Sequence, residues 1–359
     1  MKIMEKSNDP AWNKAVFALV CDDNLNFAAN ALALEITRIL DVEVHVFIET
    51  KPDLDYTIKE LDHGKITYHH NILFRNIEAE VYDTPRFSRA TWGRIMLPSV
   101  LGDFKRIIYC DIDVLPGNFD SHILDIDLPH GIALVRDESD ILSKNNILTD
   151  NHAKFRIGDK YFNSGFMIID PLNWDSKSVK SSLTDFFESG DASIAPYVDQ
   201  DFLNVHFAGR ITELSPLYNL QHNFMRLAAI NPHRVAVRHY TGSEKPYYRT
   251  RDLASREIVA KGRNRYAKMM SNAGIDLGRV PERSKPREIV LKAKLRKKIS
   301  NFGLKSRKEI KLYKKWNIEH SLFVEHLLKG AHASFSDDFN IDDILSKLEP
   351  HFDGFEYYA

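Results

Sequence analysis

The first sustained apolar run in the chain is Ala15-Val16-Phe17-Ala18-Leu19-Val20, with no polar break. Such a run reads as a strand buried on both faces, as in a parallel sheet covered by helices. Asp22-Asp23-Asn24 closes it. Across residues 27–40 apolar side chains recur at Leu32, Leu34, Ile36, Ile39 and Leu40, which is a helical spacing. Val42-Glu43-Val44-His45-Val46-Phe47-Ile48 then predicts a second strand. Strand, helix and strand in this order argue for a mostly parallel α/β sheet. Farther on, the pattern predicts a helix and a short strand within 56–82 and a helix over 88–100. A third central strand, Arg106-Ile107-Ile108-Tyr109-Cys110, runs directly into Asp111-Ile112-Asp113. Further strands are expected at 131–135 and 165–169, and helices at 179–188 and 200–207.

The 359 residues allow one large domain or a catalytic domain with an extension. At 43% hydrophobic and 28% charged, the chain has the makings of a globular protein and is excluded from the disordered class. The two cysteines, Cys21 and Cys110, each follow aliphatic residues and read as small buried hydrophobes. That argues against a disulfide framework or a cysteine metal site and fits a reducing compartment. The N-terminal residues lack the apolar centre of a signal peptide, and no stretch is apolar for the roughly 18–20 residues a membrane-spanning helix needs. The formal net charge of −1 conceals a strong asymmetry. Residues 283–315 hold fourteen Lys or Arg against Glu288 and Glu309, while acidic residues gather again near the C-terminus. The chain accordingly divides into a catalytic part (1–255), a basic helical extension (256–316) and an acidic tail (317–359).

The chemistry begins at Asp111-Ile112-Asp113. Ligands of open α/β sheets bind where strands end, and two carboxylates one residue apart can converge there on a hard divalent cation. A solvated turn is the bland alternative, since Asp is common where strands end. Haloacid-dehalogenase-type phosphatases also place Asp-X-Asp after an apolar strand; in that reading Asp111 is a nucleophile and the metal is Mg²⁺. There, however, the motif opens the domain, whereas here α/β structure precedes it.

A second feature, His239-Tyr240-Thr241-Gly242-Ser243-Glu244-Lys245-Pro246, adds a further reading to these. Taken in order with the Asp-rich turn and Asp111-Ile112-Asp113, it resembles glycosyltransferase family 8. This retaining family includes lipopolysaccharide galactosyl- and glucosyltransferases. The resemblance spans about residues 15–247 and implies a GT-A-type, Rossmann-like α/β fold: a mixed, mostly parallel sheet flanked by helices. It implies a UDP-sugar donor and Mn²⁺ held by Asp111, Asp113 and His239, with Mg²⁺ as the alternative. An imidazole beside two carboxylates suits Mn²⁺. Gly242 would admit the diphosphate backbone-close and Lys245 would pair with its charge. Asp22, Asp23 and Asn24 match the nucleotide-binding turn, and Ile112 lies within the nucleotide-contacting segment. The aromatic that stacks on uracil in the galactosyltransferases is replaced by Leu25, with Phe27 a candidate substitute. Arg94 aligns with a donor-contacting arginine, Asp137 with a sugar carboxylate, and Asn163-Ser164-Gly165 with a sugar-contacting turn.

Val198-Asp199-Gln200-Asp201-Phe202-Leu203-Asn204 completes the resemblance. In the family the residue matching Asp199 holds sugar hydroxyls, and the one matching Gln200 lies on the β face of the anomeric carbon. A neutral amide is a poor nucleophile, so displacement on the front face is expected over a covalent glycosyl-enzyme, with Asp201 the alternative nucleophile. Helix N-capping is the bland reading of Asp199 and Asp201. In the basic segment, Leu291, Leu295, Ile299 and Phe302 recur at helical spacing among Lys292, Lys294, Arg296, Lys297 and Lys298. That pattern suits a cationic helix on an anionic membrane surface, at the inner face of the cytoplasmic membrane, with a solvated helix packed on the catalytic part as the bland alternative. Nothing in it marks a nucleic-acid binder. The acceptor expected is a glycan or lipid-linked saccharide; a catalytically inactive glycan-binding module is the non-enzymatic alternative.

Overall fold

The computed structural model describes residues 9–49, 61–74, 88–142, 160–227, 235–250, 257–283, 315 and 318–327. Among them the main sheet has seven strands: β1 (Ala15–Cys21), β2 (Glu43–Ile48), β3 (Ile66–His70), β4 (Arg106–Cys110), β6 (Ile132–Arg136), β7 (Phe162–Ile169) and β8 (Thr212–Leu214). Their spatial order is β3-β2-β1-β4-β7-β6-β8. The pairs β3–β2, β2–β1, β1–β4 and β6–β8 are parallel, while β7 runs antiparallel to both β4 and β6. This is the mixed, mostly parallel α/β sheet expected. Strands β1, β4 and β7 are buried along their whole length, the apolar run of β1 as expected of a strand covered on both faces.

This topology decides what meets at one sheet edge. Strands β1, β4 and β6 all end there, and reversed β7 begins there. The turn after β1, the Asp-Ile-Asp segment after β4, Asp137 after β6 and Asn163-Ser164 at the start of β7 are thereby gathered. Asn163 and Ser164 lie inside β7 rather than in the turn expected of them, because the strand begins three residues earlier than its apolar core.

A second sheet of three short strands, β5 (Val114–Pro116), β9 (Leu220–Gln221) and β10 (Val237–His239), has the order β5-β10-β9. It brings two distant segments together. β10 is antiparallel to β5 with His239 opposite Val114, and the Tyr240 amide donates to the Asp113 carbonyl at 3.1 Å.

The helices are α1 (Asn26–Ile39), α2 (Glu138–Leu142), α3 (Ser176–Glu188), α4 (Asp191–Ile194), α5 (Asp199–His206), α6 (His222–Leu227) and α7 (Glu257–Asn272). The helix expected over 88–100 is a 3-10 helix, Arg89–Ser99, with Pro98 inside it. Its Gly93 sits so close to the sheet layer that an added Cβ would lie 2.8 Å from Val20 Cγ1. Helix α7 packs on α1, and Val259, Tyr266, Met269 and Met270 share the core that holds β1 and α1. Farther along, Phe323 stacks on Phe224 of α6 at 4.6 Å between ring centroids. Nearly all of the cationic segment 283–315 and the tail beyond 327 lie outside the described residues. No helix among the described residues is long and apolar enough to cross a membrane.

Candidate metal and donor-sugar site

Asp111, Asp113 and His239 meet at the end of β4. Each offers one ligand atom, and these atoms lie within 4.8 Å of one another. His239 Nε2 stands 3.2 Å from Asp113 Oδ1 and 3.5 Å from Asp111 Oδ2. Gly165, on the neighbouring strand, makes room for this approach. A Cβ there would lie 2.1 Å from His239 Cε1 and 2.8 Å from Asp111 Oδ2. A donor set of two carboxylates and one imidazole, with Asp113 and His239 buried and Asp111 partly exposed, fits a divalent cation of the Mn²⁺ type.

The electrostatics agree with a site built around positive charge. Burial alone would raise the Asp113 carboxyl, but Lys245 and then His239 reverse this and hold it well below the usual range. Lys245 Nζ donates to Asp113 Oδ2 and, at 2.9 Å, to the Tyr240 carbonyl. Burial alone would lower the His239 imidazole; Asp113 and Asp111 together hold it above its ordinary value. Asp111 Oδ1 accepts from the Tyr109 hydroxyl at 2.5 Å and lies 3.0 Å from Arg94 Nη2.

Arg94 joins this cluster to a second group. Its Nη1 donates to the Ser164 carbonyl and hydroxyl at 3.0 and 3.1 Å, and its Nε lies 3.1 Å from Asp199 Oδ2. Its guanidinium also covers the Tyr109 ring at 4.6 Å. Asp199 accepts from Ser164 Oγ at 3.1 Å, and its carboxyl is pushed up to about 7 by burial, against the pull of Arg94. Gln200 Oε1 accepts from Asn163 Nδ2 and from the Ser164 amide, both at 3.1 Å. Asn163 Nδ2 also reaches Asp137 Oδ2 at 3.2 Å. Asp137, Asn163, Ser164, Asp199 and Gln200 therefore form one buried polar group beside Asp111, Asp113 and His239.

Asp201 differs from its neighbours. It is fully buried, accepting from the Tyr161 hydroxyl and the Tyr197 amide, each at 2.7 Å on a different oxygen. Neither Asp199 nor Asp201 is the N-cap of α5. That position is Val198, at a left-handed φ of 41°.

The turn after β1 is organised by Asp22, whose Oδ1 accepts from the Asn24 amide at 3.0 Å. Asp23 Oδ1 is buried with no hydrogen-bond donor. Leu25 packs against the core, and the Phe27 ring meets Tyr247 edge-on at 6.2 Å. At Gly242 an added Cβ would find only the His222 ring, at 3.8 Å, so no protein neighbour demands a glycine there. The Ile112 carbonyl accepts from the Tyr266 hydroxyl at 2.5 Å, which ties α7 to the Asp-Ile-Asp segment.

Three contributors carry no signal in the linear pattern. Tyr109 looks like one more core residue of β4. Asn219, fully buried between two short elements, places its Oδ1 3.1 Å from His239 Nδ1. Glu138 takes hydrogen bonds from Asn223 and from Thr241 Oγ1 (2.9 Å), bridging the end of β6 to the loop after His239. Burial, with Asp137 next in effect, pushes the Glu138 carboxyl up to about 7.

The model of glycosyl transferase family 8 matches residues 24–250, well over half of the chain. The chain belongs to glycosyl transferase family 8. General stress protein A of Bacillus subtilis (strain 168) is 29% identical over 220 residues, covering 55% of this chain and 73% of that protein. Among solved structures, galactosyltransferase LgtC in complex with donor and acceptor sugar analogs matches with a TM-score of 0.52 and 22% identity. That match covers 72% of this chain and 95% of LgtC. The apo-form glycosyltransferase GlyE of Streptococcus pneumoniae TIGR4 matches with a TM-score of 0.50 and 15% identity, over 72% and 62% of the two chains. Family membership makes this chain a glycosyltransferase and sets aside the phosphatase reading of Asp111.

Proposed function

We propose that this family 8 enzyme is a retaining hexosyltransferase. It moves galactose or glucose from a UDP-sugar to a hydroxyl of a glycan or lipopolysaccharide-type acceptor, with Mn²⁺ as its metal. The observation that carries the reading is the contact between two groups at one sheet edge. The Asp111, Asp113 and His239 cluster is joined through Arg94 to the buried polar set of Asp137, Asn163, Asp199 and Gln200. A nucleoside diphosphate joined to a hexose presents the same two halves, an anion and a ring of hydroxyls.

In this reading Asp111, Asp113 and His239 hold the cation, which when bound neutralises charge on the leaving diphosphate. Lys245, now on Asp113, pairs with the diphosphate. The orphaned acceptor of Asp23 takes a donor from the nucleoside. Asp137, Asn163 and Asp199 hold the hexose hydroxyls, since carboxylates and amides accept and donate in fixed directions. Gln200 is a neutral amide committed to three neighbours, and both oxygens of Asp201 are engaged, so neither is poised as a nucleophile. That supports front-face displacement. The acceptor oxygen bonds to the anomeric carbon on the face from which the diphosphate departs, and the acceptor proton passes to the diphosphate oxygen. The charge of 283–315 supports contact with anionic lipid at the inner face of the cytoplasmic membrane, near a lipid-linked acceptor.

The test is UDP release from a panel of nucleotide-sugars in the presence of Mn²⁺. Release from UDP-galactose or UDP-glucose, lost in Asp113→Ala, is the expected result. A chain that turns over none of the panel with any acceptor glycan offered would overturn it.

A further inference from the structure

A chain of buried amides leads from the metal ligand His239 to the residues assigned to the sugar. We infer that Asn219 and Asn163 form a relay, anchored on the backbone of β7, that fixes the orientation of the His239 ring and couples the metal ligands to the donor-sugar group. The inference rests on the metal-site reading above.

The polarity of the relay follows from one fixed donor. The Gly165 amide can only donate, and it points at Asn163 Oδ1 at 3.0 Å. The Asn163 side chain is thereby oriented: its Nδ2 must face Asp137 and Gln200, as found. A second backbone donor, the Ser164 amide, sets Gln200 in the same way. Since Asn163 presents an oxygen, Asn219 must present Nδ2 to it, and the two meet at 2.8 Å. Asn219 Oδ1 is then left for His239 Nδ1 at 3.1 Å. An acceptor there requires Nδ1 to carry hydrogen, which directs Nε2 to Asp111 and Asp113 as the ligand atom. Asn219 is fully buried, with His239 3% and Asn163 7% exposed, so water is poorly placed to substitute for a lost link. Outer partners of this kind hold a metal-binding imidazole in place. Asn219 and Asn163 are positioning residues in this respect.

The probe is Mn²⁺ alone, without donor or acceptor, titrated into the full chain while free ion is followed by electron paramagnetic resonance. Melting curves confirm folding of each variant. Asn219→Ala is expected to weaken Mn²⁺ binding by roughly 10- to 100-fold. Asn163→Ala, whose amide is one link removed from His239, is expected to weaken it several-fold, and the double variant to cost less than the two together. Asn163→Ala keeps the test open should Asn219→Ala not fold. Folded variants that bind Mn²⁺ like wild type overturn the relay alone. Wild type that takes up no Mn²⁺ overturns the metal site and the relay with it.

Discussion

Gly165→Ala tests the geometry of the cation site with the smallest possible change. The glycine is not at a positive φ, so alanine fits its backbone, and a strand normally gains from the exchange by about 0.4–1 kcal/mol. The surroundings reverse that sign. The new Cβ would stand 2.1 Å from His239 Cε1, 2.7 Å from Nδ1 and 2.8 Å from Asp111 Oδ2. Ordinary carbon contact is about 3.5 Å, so the ring must retreat by about 1.4 Å or the strand must shift. Metal ligands tolerate only about ±0.2 Å. Overpacking of this kind costs about 1–3 kcal/mol, and a misplacement near 1 Å costs about 10²-fold in rate. The expected variant is folded, melts lower than wild type, binds Mn²⁺ more weakly and loses about two orders of magnitude in kcat/KM for UDP-sugar. Calorimetry, Mn²⁺ titration and UDP-release kinetics measure the three. A variant that melts higher and binds Mn²⁺ as wild type does would refute the close approach of His239 and Asp111 across Gly165.

Three further outcomes are expected. Glu138 has a folded-state value near 7, raised by burial above an unfolded carboxylate's 4.5. The native state therefore keeps its proton over a range where the unfolded chain has lost it. Stability should fall as pH rises from about 4.5 to 7, by on the order of 3 kcal/mol, and Glu138→Gln should flatten that part of the melting-temperature profile. Tyr266→Phe leaves the Ile112 carbonyl without its 2.5 Å donor, so denaturant unfolding should show a loss of about 1–3 kcal/mol, and Mn²⁺ binding should weaken with it. Sedimentation with anionic liposomes should carry the full chain down at low salt and release it at high salt; protein left in the supernatant at low salt counts against the lipid-surface role of 283–315.

What could be read from the sequence, and what could not, divides along a physical line. Unbroken apolar runs are costly anywhere but in a covered strand, so β1 and β4 were legible, and with them the strand ends that carry Asp22 and Asp111. Segments of two or three residues hold no period, so β5, β9 and β10 left no trace, although they bring His239 opposite Val114. The reversal of β7 was equally silent. Its apolar core predicts a strand but no direction, and the direction is what carries Asn163 and Ser164 to the same edge as Asp137. Resemblance supplied the identities at that edge without the contacts between them. Those contacts explain why this cluster is more than a set of carboxylates. Arg94 contacts Asp111 and Asp199 at once, which ties the Asp111, Asp113 and His239 cluster to the group of Asp137, Asn163, Asp199 and Gln200. Asn219 makes the same join from the other side, through His239 and Asn163. On the proposed reading, a donor spanning both groups would meet a site whose two parts are already held in register. Its binding energy would then be available to orient the anomeric carbon rather than to assemble the site.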